Sequence, residues 1–94
     1  MKENANAKET RVAVMSIIVE NEDSVAALNA LLHTFGGRII GRMGIPYRAR
    51  GVNVISVAVD APQDETAALA GKIGSLAGVS VKTAYSGVFG TDEN

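Results

Sequence analysis

The residues best suited to bind a ligand are four arginines in a stretch, residues 38–59, that contains no acid: Arg38, Arg42, Arg48 and Arg50. A guanidinium can donate paired hydrogen bonds to a carboxylate or phosphate, and Tyr47 beside them offers a ring that can stack on a base. Residues 38–50 therefore indicate an anion-binding hairpin, with nucleic acid left open as its ligand. The alternative is a solvated surface whose arginines pair with Glu20 or Asp60 of a neighbouring subunit.

Groups that could act in catalysis are scarce. The chain has no Cys and one His, His33, on the polar side of a predicted helix, whereas metal sites need several donors. Ser16 and Ser56 lie inside apolar stretches without a nearby base, so we expect core hydroxyls that bond locally. The glycines of residues 37–44 follow a strand pattern and favour a bulge over a phosphate-binding loop. The sequence predicts no enzyme activity, no metal and no cofactor.

Composition sets the class of protein. The chain has 94 residues, of which 47% are hydrophobic and 20% charged, as in one globular domain. Its net charge of -1 favours neither a polyanionic nor a polycationic partner. Because the polar N-terminus has no secretory pattern and no apolar run reaches the ~18 residues of a membrane span, we expect a cytoplasmic protein without a membrane partner.

An internal repeat organises the chain. Val12–Glu20 and Val52–Asp60 match at an offset of forty residues, and apolar residues at both parities predict two central strands. A helix follows each strand, one from after Asn21 to Gly36 and one from after Pro62 to Gly78. Their apolar positions recur at helical spacing and are expected to be buried together: Leu28, Leu32 and Phe35 in the first helix, and Leu69, Ile73 and Leu76 in the second.

Two further strands, Arg38–Ile45 and Val79–Tyr85, complete a βαββαβ order, with a hairpin loop at residues 47–51. This order predicts an α+β, ferredoxin-like sandwich, in which both helices cover one face of a four-stranded antiparallel sheet. The domain spans residues 11–86, between flexible segments at 1–10 and 87–94. The other sheet face is apolar whichever parity it presents: Ala13, Met15, Ile17 and Val19, or Val12, Val14 and Ile18. We therefore expect a homo-oligomer, a dimer or a tetramer.

Three segments of the sequence resemble a known family: TRVAVMSIIVEN, RIIGRMGIPYRARGVNVISVAVDAPQD and LAGVSVKTAYS. They resemble the iron-only hydrogenase system regulators, which are ACT-like proteins with a ferredoxin-like fold. The resemblance covers residues 11–86, and its most specific part is residues 39–50. It implies a cytoplasmic, oligomeric, non-enzymatic regulator in anaerobes that make such hydrogenases, with a protein partner and a small-molecule effector as candidates.

The resemblance also implies where an effector would bind. In ACT-like proteins it often lies where the first strand turns into the first helix, here residues 20–24, facing a neighbouring subunit. Acids there would suit a cationic or amino-bearing effector, although the same residues are explained by helix capping. A more distant likeness to the nickel-responsive repressor carries over no metal site and no DNA-binding segment. The candidate ligand-binding residues are Glu20, Asn21, Arg42, Tyr47, Arg48 and Arg50.

Overall fold

The computed structural model describes residues 9–91. Its strands and helices follow the predicted order: β1 (Glu9–Val19), α1 (Val25–Thr34), β2 (Ile39–Tyr47), β3 (Val52–Ala61), α2 (Gln63–Gly74) and β4 (Val79–Thr91). The sheet is antiparallel with strand order β2-β3-β1-β4, so the two apolar strands lie at its centre. This is the predicted ferredoxin-like arrangement. No helix in this part of the chain is long and apolar enough to cross a membrane.

The internal repeat is visible in the pairing of the central strands. Ser16 of β1 lies directly opposite Ser56 of β3, its own counterpart forty residues later. The same rule holds on both sides of this pair: Met15 lies opposite Val57, the counterpart of Ile17, and Ile17 lies opposite Ile55, the counterpart of Met15. An approximate two-fold axis normal to the sheet therefore passes between the two serines.

Burial decides which parity of β1 faces the helices. Ala13, Met15, Ile17 and Val19 are at most 1% exposed, whereas Val14 is 37% exposed. The helices contribute four buried side chains to the same core: Leu28, Leu32, Leu69 and Ile73. The predicted helix stripe is thus confirmed, with Phe35 and Leu76 partly buried at its margin. The opposite parity leaves an open face without a covering helix.

Local signals place three of the four helix boundaries close to their predicted positions, but α2 ends at Gly74, one turn before the predicted end at Gly78. The side chain of Asn21 accepts a hydrogen bond from the Asp23 amide and caps a 3-10 turn, Glu22–Ser24, that leads into α1. Pro62 precedes α2, and Gly78 adopts a φ of 69° after its end. Gly74 ends α2 close to the sheet, because a Cβ there would lie 3.3 Å from Val81 Cγ1.

Both edge strands are longer than predicted. β2 continues through Pro46 and Tyr47, since an edge strand tolerates a proline, so the predicted loop position of Tyr47 was wrong. β4 continues to Thr91, and its last residues pair with Glu9–Arg11 of β1. The flexible segments predicted at 9–10 and 87–91 are therefore strand. Residues 1–8 and 92–94 of those predicted segments lie outside the described residues.

Arg11 contacts the extension of β4 through several groups. Its guanidinium lies 4.8 Å from the ring centroid of Phe89 and 5.2 Å from that of Tyr85. Its Nε donates to the Ser86 carbonyl at 2.6 Å, and its Nη1 donates to the side chain of Gln63 at 2.9 Å. These contacts link the end of the sheet to the start of α2.

The bulge predicted from the glycines of β2 is present, whereas the burial predicted for Ser16 and Ser56 is not. The pairing of β2 with β3 shifts between Ile39 and Gly41, which confirms the predicted bulge. Ser16 is exposed and Ser56 half-buried, because both have the parity of the open face. The expectation that they are core hydroxyls was therefore wrong.

Candidate functional site

One end of the sheet gathers three connections between elements. β1 and β2 end there while β3 and β4 begin, as the pairing of Val19 with both Asn53 and Val79 shows. The β1–α1 loop, the β2–β3 turn and the α2–β4 turn consequently lie side by side. Five of the predicted site residues occur at this end: Glu20, Asn21, Tyr47, Arg48 and Arg50. Arg42 lies further along edge strand β2.

The β1–α1 loop is held firmly against the α2–β4 turn. The Glu20 amide donates to the Gly78 carbonyl at 2.7 Å, and the Ser24 hydroxyl donates to the Ala77 carbonyl at 2.6 Å. A Cβ on Gly78 would lie 2.7 Å from the Asn21 Cβ, so this turn needs glycine for space as well as for its φ. Since the Asn21 side chain also caps the first helical turn, its observed role is structural. Glu20 is exposed.

A cleft separates this loop from the β2–β3 turn. Its volume is about 370 Å³, and we call it the end cleft; it is lined by Glu22, Pro46, Tyr47, Arg48, Gly51, Val52 and Asn53. A carboxylate and a guanidinium therefore belong to the same cleft, on different walls. The turn that carries Arg48 is a 3-10 segment, Arg48–Arg50, closed by Gly51 with a φ of 66°. Both arginines project from a short, conformationally defined turn.

A second groove adjoins the end cleft along edge strand β2. It has a volume of about 310 Å³ and shares Glu22, Pro46 and Asn53 with the end cleft. Across it, Arg42 Nη2 donates to Asn29 Oδ1 of α1 at 2.8 Å. The groove is also lined by Val25, Gly44, Ile45 and Ile55. Together the two cavities offer opposite charges, amides and an apolar wall, the combination that orients small polar ligands.

The four arginines do not form one continuous surface. Arg38 lies at the other end of the sheet, where its Nε is 3.5 Å from Glu65 Oε1 of α2. Arg42 bridges to α1, and only Arg48 and Arg50 share the β2–β3 turn. Neighbours in sequence separate here because β2 spans the length of the sheet between Arg38 and Arg48. The single basic strip expected from the sequence is thus divided among three places.

The open face of the sheet is the largest feature that the candidate residues left out. Its exposed apolar side chains have exposed fractions from 37% for Val14 to 65% for Met43; the others are Ile18, Ile45, Tyr47 and Val54. Ser16 and Ser56 lie among them, and Lys82 of β4 follows in the same row. The apolar residues at both parities of the central strands were the sequence signal for this surface.

Within residues 9–91, no cluster of three or more His, Cys, Asp or Glu side chains could hold a metal ion. His33 is exposed on α1 and belongs to neither cavity. The described cavities bring together charged side chains and amides, and none of them is lined by histidine. They belong to a ferredoxin-like fold.

Comparisons with known proteins define the family. The chain belongs to the family described as "TM1266-like: Iron-only hydrogenase system regulator, putative", which matches residues 11–83. It is similar to the solved structure of an uncharacterized protein, TM1266 from Thermotoga maritima, with 34% sequence identity and a TM-score of 0.78. That match covers 81% of this chain and 96% of the other. No curated protein matches the chain.

Proposed function

We propose that this chain is a small, non-enzymatic regulator that self-associates through its open sheet face and binds a small effector at the end cleft. Membership of a family described as hydrogenase system regulators supports the regulatory role. An effect on transcription would pass through a partner, because the described residues form a single βαββαβ unit without a helix-turn-helix. The composition of the chain favours action in the cytoplasm.

The main support for self-association is the apolar character of the open face. Its six large apolar side chains expose on the order of 500 Å², a sizeable share of the ~800 Å² per partner in a typical stable interface. A patch of this size matches the largest apolar patch of a typical soluble monomer, and such patches are often functional surfaces. A second copy offers the same surface, so pairing would cover both faces at once.

The effector proposal depends on the two adjoining cavities. Glu22 would attract an amino group or another cation, while Arg42 and Arg48 would bind a carboxylate or phosphate. The β1–α1 loop is anchored to Gly78 and Ala77, so it would present Glu22 without a large rearrangement. Ligand and partner would then meet near the same end of the sheet.

Val54→Lys tests the self-association that this regulator requires. Val54 is 41% exposed at the centre of the open face, so a lysine there should leave the fold intact and place an unpaired charge in the interface. The matched control is Ala68→Lys, which adds the same charge to an exposed position of α2. By sedimentation velocity, only Val54→Lys should give a smaller species. Equal sedimentation of both variants and wild type would contradict the proposed interface.

The second candidate function is an anion-binding module for phosphate, a nucleotide or RNA. Arg48 and Arg50 favour it, because both are exposed on one defined turn beside Tyr47 and form no ion pair within the described part of the chain. Salt separates the two functions. Anion binding through this turn should weaken steeply with ionic strength, whereas an effector whose amino and acidic groups pair with Glu22 and Arg48 together carries little net charge and should be less sensitive to salt.

A further inference from the structure

The apolar centre of the open face does not by itself decide how two copies would be oriented. The approximate two-fold axis between Ser16 and Ser56 relates the residues on either side: Val14 opposite Ala58 on one side, and Ile18 opposite Val54 on the other. A second copy can therefore cover this centre equally well with its strands in either direction. The choice must come from residues that break the approximate symmetry.

Lys82 and Met43 break it most clearly. They lie on the two edge strands, at opposite ends of the row that contains Ser56 and Ser16. If the two-fold axis between the protomers runs across the strands, each edge strand lies over the same strand of the partner. Lys82 then faces the partner's Lys82. If the axis runs parallel to the strands, β2 lies over β4 of the partner, and Lys82 faces Met43. Only the second arrangement avoids two like charges inside an apolar interface.

The charges at the end of the sheet favour the same arrangement. With the axis parallel to the strands, the Arg48–Arg50 turn lies above the partner's β1–α1 loop, which carries Glu20, Glu22 and Asp23. With the axis across the strands, the turn lies above the opposite end of the sheet, where Asp60 and the Arg38–Glu65 ion pair together supply one net negative charge against the three acids of the loop. Opposite charges therefore meet more fully in the parallel arrangement.

We infer that a second copy of this chain packs on the open face about a two-fold axis parallel to the strands, so that β2 covers β4 and the Arg48–Arg50 turn meets the acidic β1–α1 loop. This inference rests on the proposed self-association and adds its geometry. The end cleft of each copy is then bordered by the partner's charges. An effector held there contacts the interface and changes the stability of the dimer.

Cysteine cross-linking can test the orientation of the two protomers. The wild-type chain contains no cysteine, so each introduced cysteine is the only thiol of its chain. In the inferred dimer, Ile45 of one copy lies over Ser80 of the other, since both follow the row through Val54 and Ile18. Ile45→Cys and Ser80→Cys chains, co-refolded as a mixture, should be joined by a bis-maleimide that spans the ~10 Å between packed sheets. Either variant alone should give no more covalent dimer than wild type.

Met43→Cys reports the reverse orientation. With the axis across the strands, residue 43 of one protomer faces residue 43 of the partner, so two Met43→Cys chains should be cross-linked to each other. In the inferred dimer, residue 43 of one protomer and residue 43 of the partner are three strand spacings, ~14 Å, apart in the plane of the sheet. Linkage of Met43→Cys alone, without the Ile45→Cys and Ser80→Cys product, would overturn the inference and leave self-association standing. A dimer that forms neither product would overturn it as well. Monomeric sedimentation of all the chains would instead refute the proposed interface itself.

Discussion

Thr66 of α2 allows a test of the core in which a mutation should stabilise the protein. It is 0% exposed, on the face of the helix that carries Leu69 and Ile73. Its amide donates to the Pro62 carbonyl at 3.1 Å, but its hydroxyl has no hydrogen-bond partner among residues 9–91. Thr66→Val keeps the shape of the side chain and replaces the unbonded hydroxyl by a methyl group.

The size of the effect follows from the cost of burying a polar group. A buried hydroxyl without a partner costs ~1–3 kcal/mol, so Thr66→Val should raise the free energy of unfolding by about 1 kcal/mol or more. For a domain of this size, ~1 kcal/mol corresponds to a rise of ~4–8 °C in melting temperature. Urea and thermal unfolding should be compared at one protein concentration, because association makes the melting temperature depend on concentration.

Thr66→Ser is the matched control. It keeps the hydroxyl and removes a buried methyl group, so it should lower the free energy of unfolding by ~1 kcal/mol. If Thr66→Val were the destabilised variant instead, the hydroxyl would have to be hydrogen-bonded in solution, and the packing of α2 on the sheet would be incorrect at this position.

Three further tests, made with four variants, concern the two sheet faces, the helix core and the arginine turn. Met15→Lys should unfold the chain, whereas Val14→Lys should give a folded, smaller species, because Met15 is 0% exposed in the core and Val14 lies on the open face; circular dichroism with sedimentation velocity would expose the reverse pattern. Leu32→Ala should cost ~2–5 kcal/mol, and an unchanged melting temperature would contradict the core assignment. Arg48→Glu combined with Arg50→Glu should leave stability within ~0–1 kcal/mol per residue and abolish salt-sensitive anion binding. Retained binding would rule out the anion module.

The fold was predictable because its signals are local. Each strand and each helix is indicated by a pattern inside its own segment: apolar residues at both parities in β1 and β3, and apolar stripes through Leu32 and Ile73 in the helices. The order of these segments predicts the strand order of the sheet. The ends of the edge strands depend instead on pairing. β4 continues through Gly87 and Gly90 and pairs there with Glu9–Arg11, and Arg11, more than seventy residues earlier, stacks on Phe89 and bonds to Ser86. No local pattern in the tail reports that contact.

The candidate site was predictable only in part, for a similar reason. Residue types identified Arg48, and the family resemblance identified the acids after β1; the topology brings them to one end of the sheet. The end cleft also places Glu22 with Arg48, which lies twenty-six residues later in the chain, and proximity in the sequence does not connect the two. Arg38 was grouped with arginines that lie at the opposite end of β2. The predicted strand, at ~3.3 Å per residue, already separates them, and the grouping followed sequence proximity instead.

The mass of the wild-type chain in solution tests the central proposal most directly. Sedimentation equilibrium should be measured from about 1 to about 100 µM, the range in which an interface with a micromolar dissociation constant becomes populated. An open face that mediates self-association predicts a mass of at least twice 9.7 kDa at the higher concentrations. A constant mass of 9.7 kDa across the whole range would contradict both the interface and the regulator built on it.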